Sequence, residues 1–179
     1  VVSAATNSPQ QLSALASKLG ERALLSTKED ESKAISSLNS FTALANEMII
    51  AAEPALCANL PHMLSACASK NAAIRTAADA AVMALCTKMS ANAVPAVLPC
   101  LFAATEIEQD WNKRVTALNA IASFGDHAPE QLGNSLPVVV PVVTSSMTDS
   151  KKQVAAAAIA AMSAACDVIG NKDIEHMTP

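Results

Sequence analysis

Residues 136–179, LPVVVPVVTSSMTDSKKQVAAAAIAAMSAACDVIGNKDIEHMTP, read as two helices joined by a tight turn. Pro137 opens the first, where a missing N–H costs little. The apolar run Val138, Val139, Val140, Val142 and Val143 follows, with Pro141 bending its start. Thr148, Asp149 and Ser150 stop this helix and cap the next. Ser150 with Gln153 fits a capping box, in which each side chain satisfies an orphan backbone donor. The second helix is expected to bury Val154, Ala158, Ala161, Ala165 and Val168, with Ile159, Met162 and Cys166 widening the stripe. A hairpin this rich in alanine cannot bury both faces alone, so it needs neighbours.

The neighbours are upstream. Pro95 and Pro99, in VPAVLP, repeat the spacing of Pro137 and Pro141, in LPVVVP, and Pro61 precedes Pro99 by 38 residues. An aliphatic residue recurs near the start of each second helix, as Ile74, Val115 and Val154. A period near 40 with two helices per unit is the signature of HEAT or armadillo arrays. The proline in the first helix, and Asp149 with a basic pair in the turn, favour HEAT. The fold class is therefore all-α, a right-handed α-solenoid of about four to five HEAT repeats, each an antiparallel helix pair. The expected layout is a single array over 1–179, with repeats at 9–52, 54–89, 93–128 and 136–169 and another beginning at 171–179. The chain starts without methionine and stops where a further helix is due, so it is expected to be a fragment of a longer protein.

Composition agrees. Of 179 residues 38 are alanine, with four glycines, three Phe, one Trp and no Tyr, too few aromatics for a β-sandwich. Stability must come from close helix–helix approach over small residues. From the start of the chain, residues 1–8 are weakly patterned and expected to fray. A helix over 9–25 places Leu12, Leu15, Ala16, Leu19 and Ala23 on one face. Lys28, Glu29, Asp30 and Glu31 read as a charged turn, and residues 32–52 as a helix carrying Ile35, Leu38, Leu44, Met48 and Ala51. Pro54 starts a third helix with Pro61 within its pattern, Asn71 caps the next, and residues 129–132 form a short helical connector.

The chemistry of the chain excludes more than it offers. Five cysteines, Cys57, Cys67, Cys86, Cys100 and Cys166, include no C-x-x-C pair and read as small core thiols in a reducing, cytoplasmic setting. No apolar run approaches the ~20 residues that span a bilayer, so no membrane partner is expected. His62, His127 and His176 are scattered, and Asp126-His127 reads as a local polar turn. No phosphate loop, serine elbow or paired histidines occur, so no catalytic residue, metal site or enzymatic activity is assigned to this chain.

One constellation rises above this background, and it is basic. Lys113-Arg114 and Lys151-Lys152 lie 38 apart at the turns between paired helices, and Lys70 and Arg75 bracket the equivalent turn earlier. Cations at a helix N-terminus oppose the macrodipole, so helix stability does not explain them. Two readings stand. In one they pair with acids of adjacent repeats, such as Glu106, Asp110 or Asp149, contributing ~0–1 kcal/mol each if exposed. In the other they form a ridge that follows phosphates or an acidic protein patch. The net charge of −4 opposes a broad nucleic-acid face, and no DNA partner is expected.

The residues also carry a resemblance. ANAVPAVLPCL at 91–101, Trp111-Asn112-Lys113, Asp149-Ser150-Lys151-Lys152-Gln153-Val154 and Asn171-Lys172-Asp173-Ile174-Glu175 resemble the HEAT region of the fungal-type translation elongation factor three family. The likeness covers 31–179, and residues 106–109, 57–64 and the first thirty follow the pattern loosely. It implies a ribosome-docking arm, a cytoplasmic monomer touching small-subunit proteins and ribosomal RNA. It implies too that the full-length factor uses ATP and magnesium in two downstream cassettes to release deacylated tRNA from the exit site. The basic residues Lys70, Arg75, Lys113, Arg114, Lys151 and Lys152 would then be ribosome contacts. Alternatives are the HEAT scaffold of the general-control starvation-response protein, which also resembles this region, and a generic protein–protein adaptor.

Overall fold

A computed structural model of the chain describes residues 14, 16–21, 28–47 and 52–170, and every regular element among them is helical. The chain divides into two compact units, Val1–Ser90 and Ala91–Pro179. The division falls between the repeats expected at 54–89 and 93–128.

In the first unit, residues 16–21 are helical with Ala16 and Leu19 buried; Leu12, Leu15 and Ala23 lie outside the described residues. Helix α1 spans Lys28–Asn46. The charged run is thus the first turn of a helix rather than a loop, in keeping with acids at a positive helix end. The buried stripe of α1 is Ala34, Leu38, Phe41 and Ala45, one step round from the expected Ile35 and Leu44, which are half-buried. Phe41 decides the register, because the bulkiest apolar side chain of the helix has most to gain from leaving water. Met48 and Ala51 lie outside the described residues.

The expected third helix is two. Helix α2 spans Glu53–Ala58 and α3 spans Leu60–Ala66, with Asn59 between them and a proline in the first turn of each. Pro61 brings no N–H and crowds the carbonyl four residues back, which ends α2. Asn59 closes the break: its backbone N–H bonds Leu56 O at 3.0 Å and its buried side chain bonds Ala55 O at 2.8 Å. Helix α4, Ala72–Lys88, is capped as expected, Asn71 Oδ1 accepting from Ala73 N at 2.8 Å. It buries Ile74, Ala77, Ala78, Ala81, Val82, Leu85 and Cys86 and packs on α1 and α3. Glu53 ties α2 to the end of α4, its two oxygens accepting from Ser90 N and Oγ at 2.8 Å each.

In the second unit, a short 3-10 turn, Ala91–Ala93, leads into α5, Val94–Thr105. Helix α6 is Trp111–His127, α7 is Pro129–Met147 and α8 is Lys152–Gly170. Helix α8 packs on both α6 and α7, and α5 packs on α6 and α7. The connector expected at 129–132 is therefore the first turn of one continuous α7, with Pro137 and Pro141 inside it. A stripe of Leu132, Val139 and Val143, all buried, runs through both prolines, so packing holds the helix together across two missing hydrogen bonds. The other valines of the run are half-buried or, for Val138, exposed.

Helix α8 buries Val154, Ala157, Ala158, Ala161 and Ala165. Val168 is half-buried, Ile159 and Cys166 are exposed and Met162 is half-buried, so the stripe is narrower than expected. Small residues make these approaches close. A Cβ on Gly125 of α6 would lie 3.0 Å from Ala164 Cβ of α8, and one on Gly133 of α7 would lie 3.2 Å from Val168 Cγ1.

Candidate functional site: the helix-turn edge

The turns that precede α4, α6 and α8 are built on one device. Asn71, Asp110 and Asp149, spaced 39 apart, each accept a backbone N–H two residues on, from Ala73, Asn112 and Lys151, at 2.8, 2.9 and 2.7 Å. Such a side chain satisfies one of the four donors that every helix start leaves unpaired. At α8 the acceptor is thus Asp149 rather than the expected Ser150 and Gln153. The helix also begins later: Ala155 N reaches Lys151 O, whereas Arg114 N reaches Asp110 O and Arg75 N reaches Asn71 O.

That offset separates the two basic pairs. Lys113 and Arg114 are the third and fourth residues of α6, while Lys151 precedes α8 and Lys152 is its first residue. They share a turn edge but no helical position, and the recurrence at 38 is not a structural equivalence. The equivalent cations are Arg75 and Arg114, each the fourth residue of its helix and 39 apart. Likewise Ile74 and Val154 are both third in their helices and buried, whereas Val115 is fifth and half-buried.

Arg114 is buried. Its Nη2 lies 2.7 Å from Asp149 Oδ2, with both side chains only 6% exposed. Its Nε is buried as well and has no hydrogen-bond partner. The pairing that the sequence left open is therefore realised for this arginine. It joins the first turn of α6 to the turn before α8 and takes Arg114 out of reach of a partner. Arg75, half-buried, donates from Nη1 to Ser69 O and Lys70 O, at 2.9 Å each, and so pins its own turn.

The remaining cations differ in freedom. Lys113 is half-buried and donates from Nζ to Gln109 Oε1 at 2.9 Å. Lys70, Lys151 and Lys152 are exposed. Within the second unit Lys151 and Lys152 thus stand at the surface beside an aspartate whose charge is already matched from below.

Other chemistry is sparse. A groove of about 1300 Å³ in the second unit is lined by Asp126, His127, Glu130, Asn134, Ser163 and Asp167, among others. All of these are exposed, and no group of three or more His, Cys, Asp or Glu set to hold a metal occurs among the described residues. Of the five thiols, Cys67 and Cys86 are buried, Cys57 and Cys100 half-buried and Cys166 exposed. Burial and the neighbouring Glu53 push the Cys57 thiol up to about 11, and burial raises that of Cys100. None of the described helices is by itself long and apolar enough to cross a membrane.

Comparison with known proteins places this geometry. The family described as the EF3 N-terminal HEAT repeat matches residues 4–162. The chain is 33% identical over 153 residues to elongation factor 3B of Saccharomyces cerevisiae, covering 84% of this chain and 15% of that protein. Identity and coverage are the same for elongation factor 3 of Zygosaccharomyces rouxii. Elongation factor 3 of Phytophthora infestans is 34% identical over 110 residues, 62% of this chain and 11% of that protein. Among solved structures, an engineered protein shares the fold with a TM-score of 0.51 and 14% identity, covering 86% of this chain and 67% of that one. The chain thus spans about 15% of the length of the first two relatives.

Proposed function

The chain belongs to the EF3 N-terminal HEAT repeat family, and on that premise we propose that it is the ribosome-docking HEAT portion of a translation elongation factor. In this reading the full-length factor is a cytoplasmic monomer that uses ATP and magnesium to promote release of deacylated tRNA from the exit site. The present chain has no phosphate-binding loop, so its share of the work is docking, onto small-subunit proteins and ribosomal RNA.

The observation that carries the proposal is the exposed pair Lys151 and Lys152 at the head of α8. Their charge opposes the helix dipole, so the fold gains nothing from them there. The acid next to them, Asp149, is neutralised by buried Arg114. The turn is left with two exposed ammonium groups, neither paired with an acid among the described residues, which suits phosphate oxygens. Lys70 offers the same chemistry on the first unit.

Co-sedimentation with purified ribosomes at several salt concentrations tests this. Each phosphate contact contributes ~0.7–0.9 to the slope of log affinity against log salt. Replacing Lys70, Lys151 and Lys152 with alanine is expected to weaken binding and flatten that slope by about 2, and replacing them with glutamate to abolish binding. Equal binding of wild type and the triple alanine variant at every salt concentration would move the docking surface to another face. A wild-type chain that does not sediment with ribosomes would refute the docking role itself.

A further inference from the structure

Beside that basic turn lies a loop of opposite character. The five residues between α5 and α6, Glu106-Ile107-Glu108-Gln109-Asp110, present Glu106, Ile107 and Glu108 to solvent, with Ile107 78% exposed. The other large apolar side chains at the surface of the described residues, Val138 and Ile159, sit on helices at 54% and 55%. Single surface aliphatics are ordinary; this one is distinguished by its setting.

Hydrogen bonds tie the two ends of the loop. Gln109 N bonds Glu106 O at 3.0 Å. Gln109 Oε1 accepts from Lys113 Nζ, and Asp110 Oδ1 accepts from both Asn112 N and Nδ2, each at 2.9 Å. Ile107 thus stands out from a loop whose two ends are tied, which lowers the ordering cost that a partner would meet. Trp111, half-buried, follows at the first position of α6. Aromatic and aliphatic groups of this kind form the centres of protein interfaces.

Charge names the partner. The loop carries three carboxylates, Glu106, Glu108 and Asp110, and the one ammonium bonded to it, that of Lys113, is held by the neutral Gln109, while Arg114 and Asp149 cancel each other. Phosphates would be repelled by Glu106 and Glu108. We propose that the α5–α6 loop is a protein-docking element, in which Ile107 enters an apolar depression on a basic protein segment and Glu106 and Glu108 meet its Lys or Arg side chains. The inference rests on the docking reading for its setting: the partner is a basic protein of the ribosome, bound next to the RNA that Lys151 and Lys152 contact.

A photoreactive amino acid in place of Ile107 in the 179-residue chain, irradiated on purified ribosomes, tests it. The expected product is a covalent adduct to a basic ribosomal protein that survives ribonuclease. Alongside, Ile107→Ser is expected to weaken ribosome binding about tenfold or more, the loss of one buried aliphatic side chain, without altering the salt slope. The Glu106→Lys/Glu108→Lys variant is expected to weaken binding also. An adduct to RNA, an adduct to an acidic protein, or no adduct while the chain still sediments with ribosomes would each overturn the loop proposal and leave docking intact. Failure of the unsubstituted chain to sediment would overturn both. Unchanged affinity of Ile107→Ser would overturn the loop proposal alone.

Discussion

Replacing Arg114 with methionine should destabilise the second unit strongly, because it strands a carboxylate. The pair is 2.7 Å apart and both side chains are 94% buried, so neither charge has water to fall back on. A buried pair gives little net stability compared with an apolar pair of similar shape. Removing one partner nevertheless leaves the other unpaired, at a cost of ~3–5 kcal/mol. Methionine keeps most of the arginine stem volume, so packing loss adds little. Asp149→Asn tests the same pair from the other side. The amide oxygen still caps Lys151 N–H, a bond now 2.7 Å long, so the ~1 kcal/mol of a helix cap is retained while the charge is lost.

The double variant Arg114→Met/Asp149→Asn removes both charges and should recover part of the loss, giving a coupling above ~1.5 kcal/mol. Urea denaturation followed by circular dichroism measures all four species. Because the pair is buried, the loss should be much the same at low and at high salt, unlike that of an exposed pair. Two single variants within ~0.5 kcal/mol of wild type, with effects that simply add, would refute the idea that this pair fixes the start of α6 to the α7–α8 turn.

Two further outcomes are expected. Ala161→Phe or Ala158→Phe places a ring where α8 meets its neighbours with no exposed surface to spare, and should cost ~1–3 kcal/mol or more; an unchanged melting temperature would overturn the packing register. Brief alkylation with iodoacetamide near neutral pH should modify Cys166 first, because it is exposed, while Cys57, its thiol pushed up to about 11, should become reactive only toward that pH; rapid labelling of Cys57 at pH 8, read by peptide mass, would contradict its burial beside Glu53.

Periodicity made the fold legible in the sequence, and helix register hid the site. Alanine stripes report close helix–helix approach, and prolines recurring with a period near 40 report one helix pair per repeat. What a proline does within that period is decided elsewhere. Pro61 ends α2 because Asn59 satisfies the broken turn from its own backbone and side chain. Pro137 stays inside α7 because Leu132 and Val139 are buried on one continuous stripe. The basic pairs misled for a related reason. Their spacing of 38 suggests one position, but α8 starts two residues further from its aspartate than α6 does. The true recurrence was present as Asn71 with Arg75 and Asp110 with Arg114, an acceptor and a cation four apart, repeated at 39. The exposure of Ile107 had no signal at all in composition, since nothing local distinguishes a loop aliphatic at the surface from one folded under. The closing Asn171-Lys172-Asp173-Ile174-Glu175 lies outside the described residues.

The division between one buried and two exposed cations makes stability and docking separable by the same two variants. Asp149 lies next to Lys151 and Lys152 in the chain, and unneutralised it would offset one of their charges. Arg114 removes that offset from below, so the pair serves the turn electrostatically as well as mechanically. Arg114→Met and Asp149→Asn both weaken the fold, but they move the field at the turn in opposite directions. Measured well below its unfolding transition, Arg114→Met exposes the lysines to an unmatched carboxylate and should bind ribosomes more weakly than wild type. Asp149→Asn leaves Arg114 unmatched and should bind as well or better. A single charge near a surface acts with ~1 kcal/mol or less at physiological salt, so the two variants should differ by several-fold rather than by orders of magnitude. Adding salt should narrow the gap, because the proposed lysine–phosphate contacts and the unmatched charge would both be screened. Both variants losing affinity in step with their loss of stability would mean that binding follows the integrity of the fold alone, and the turn before α8 would cease to be a docking surface.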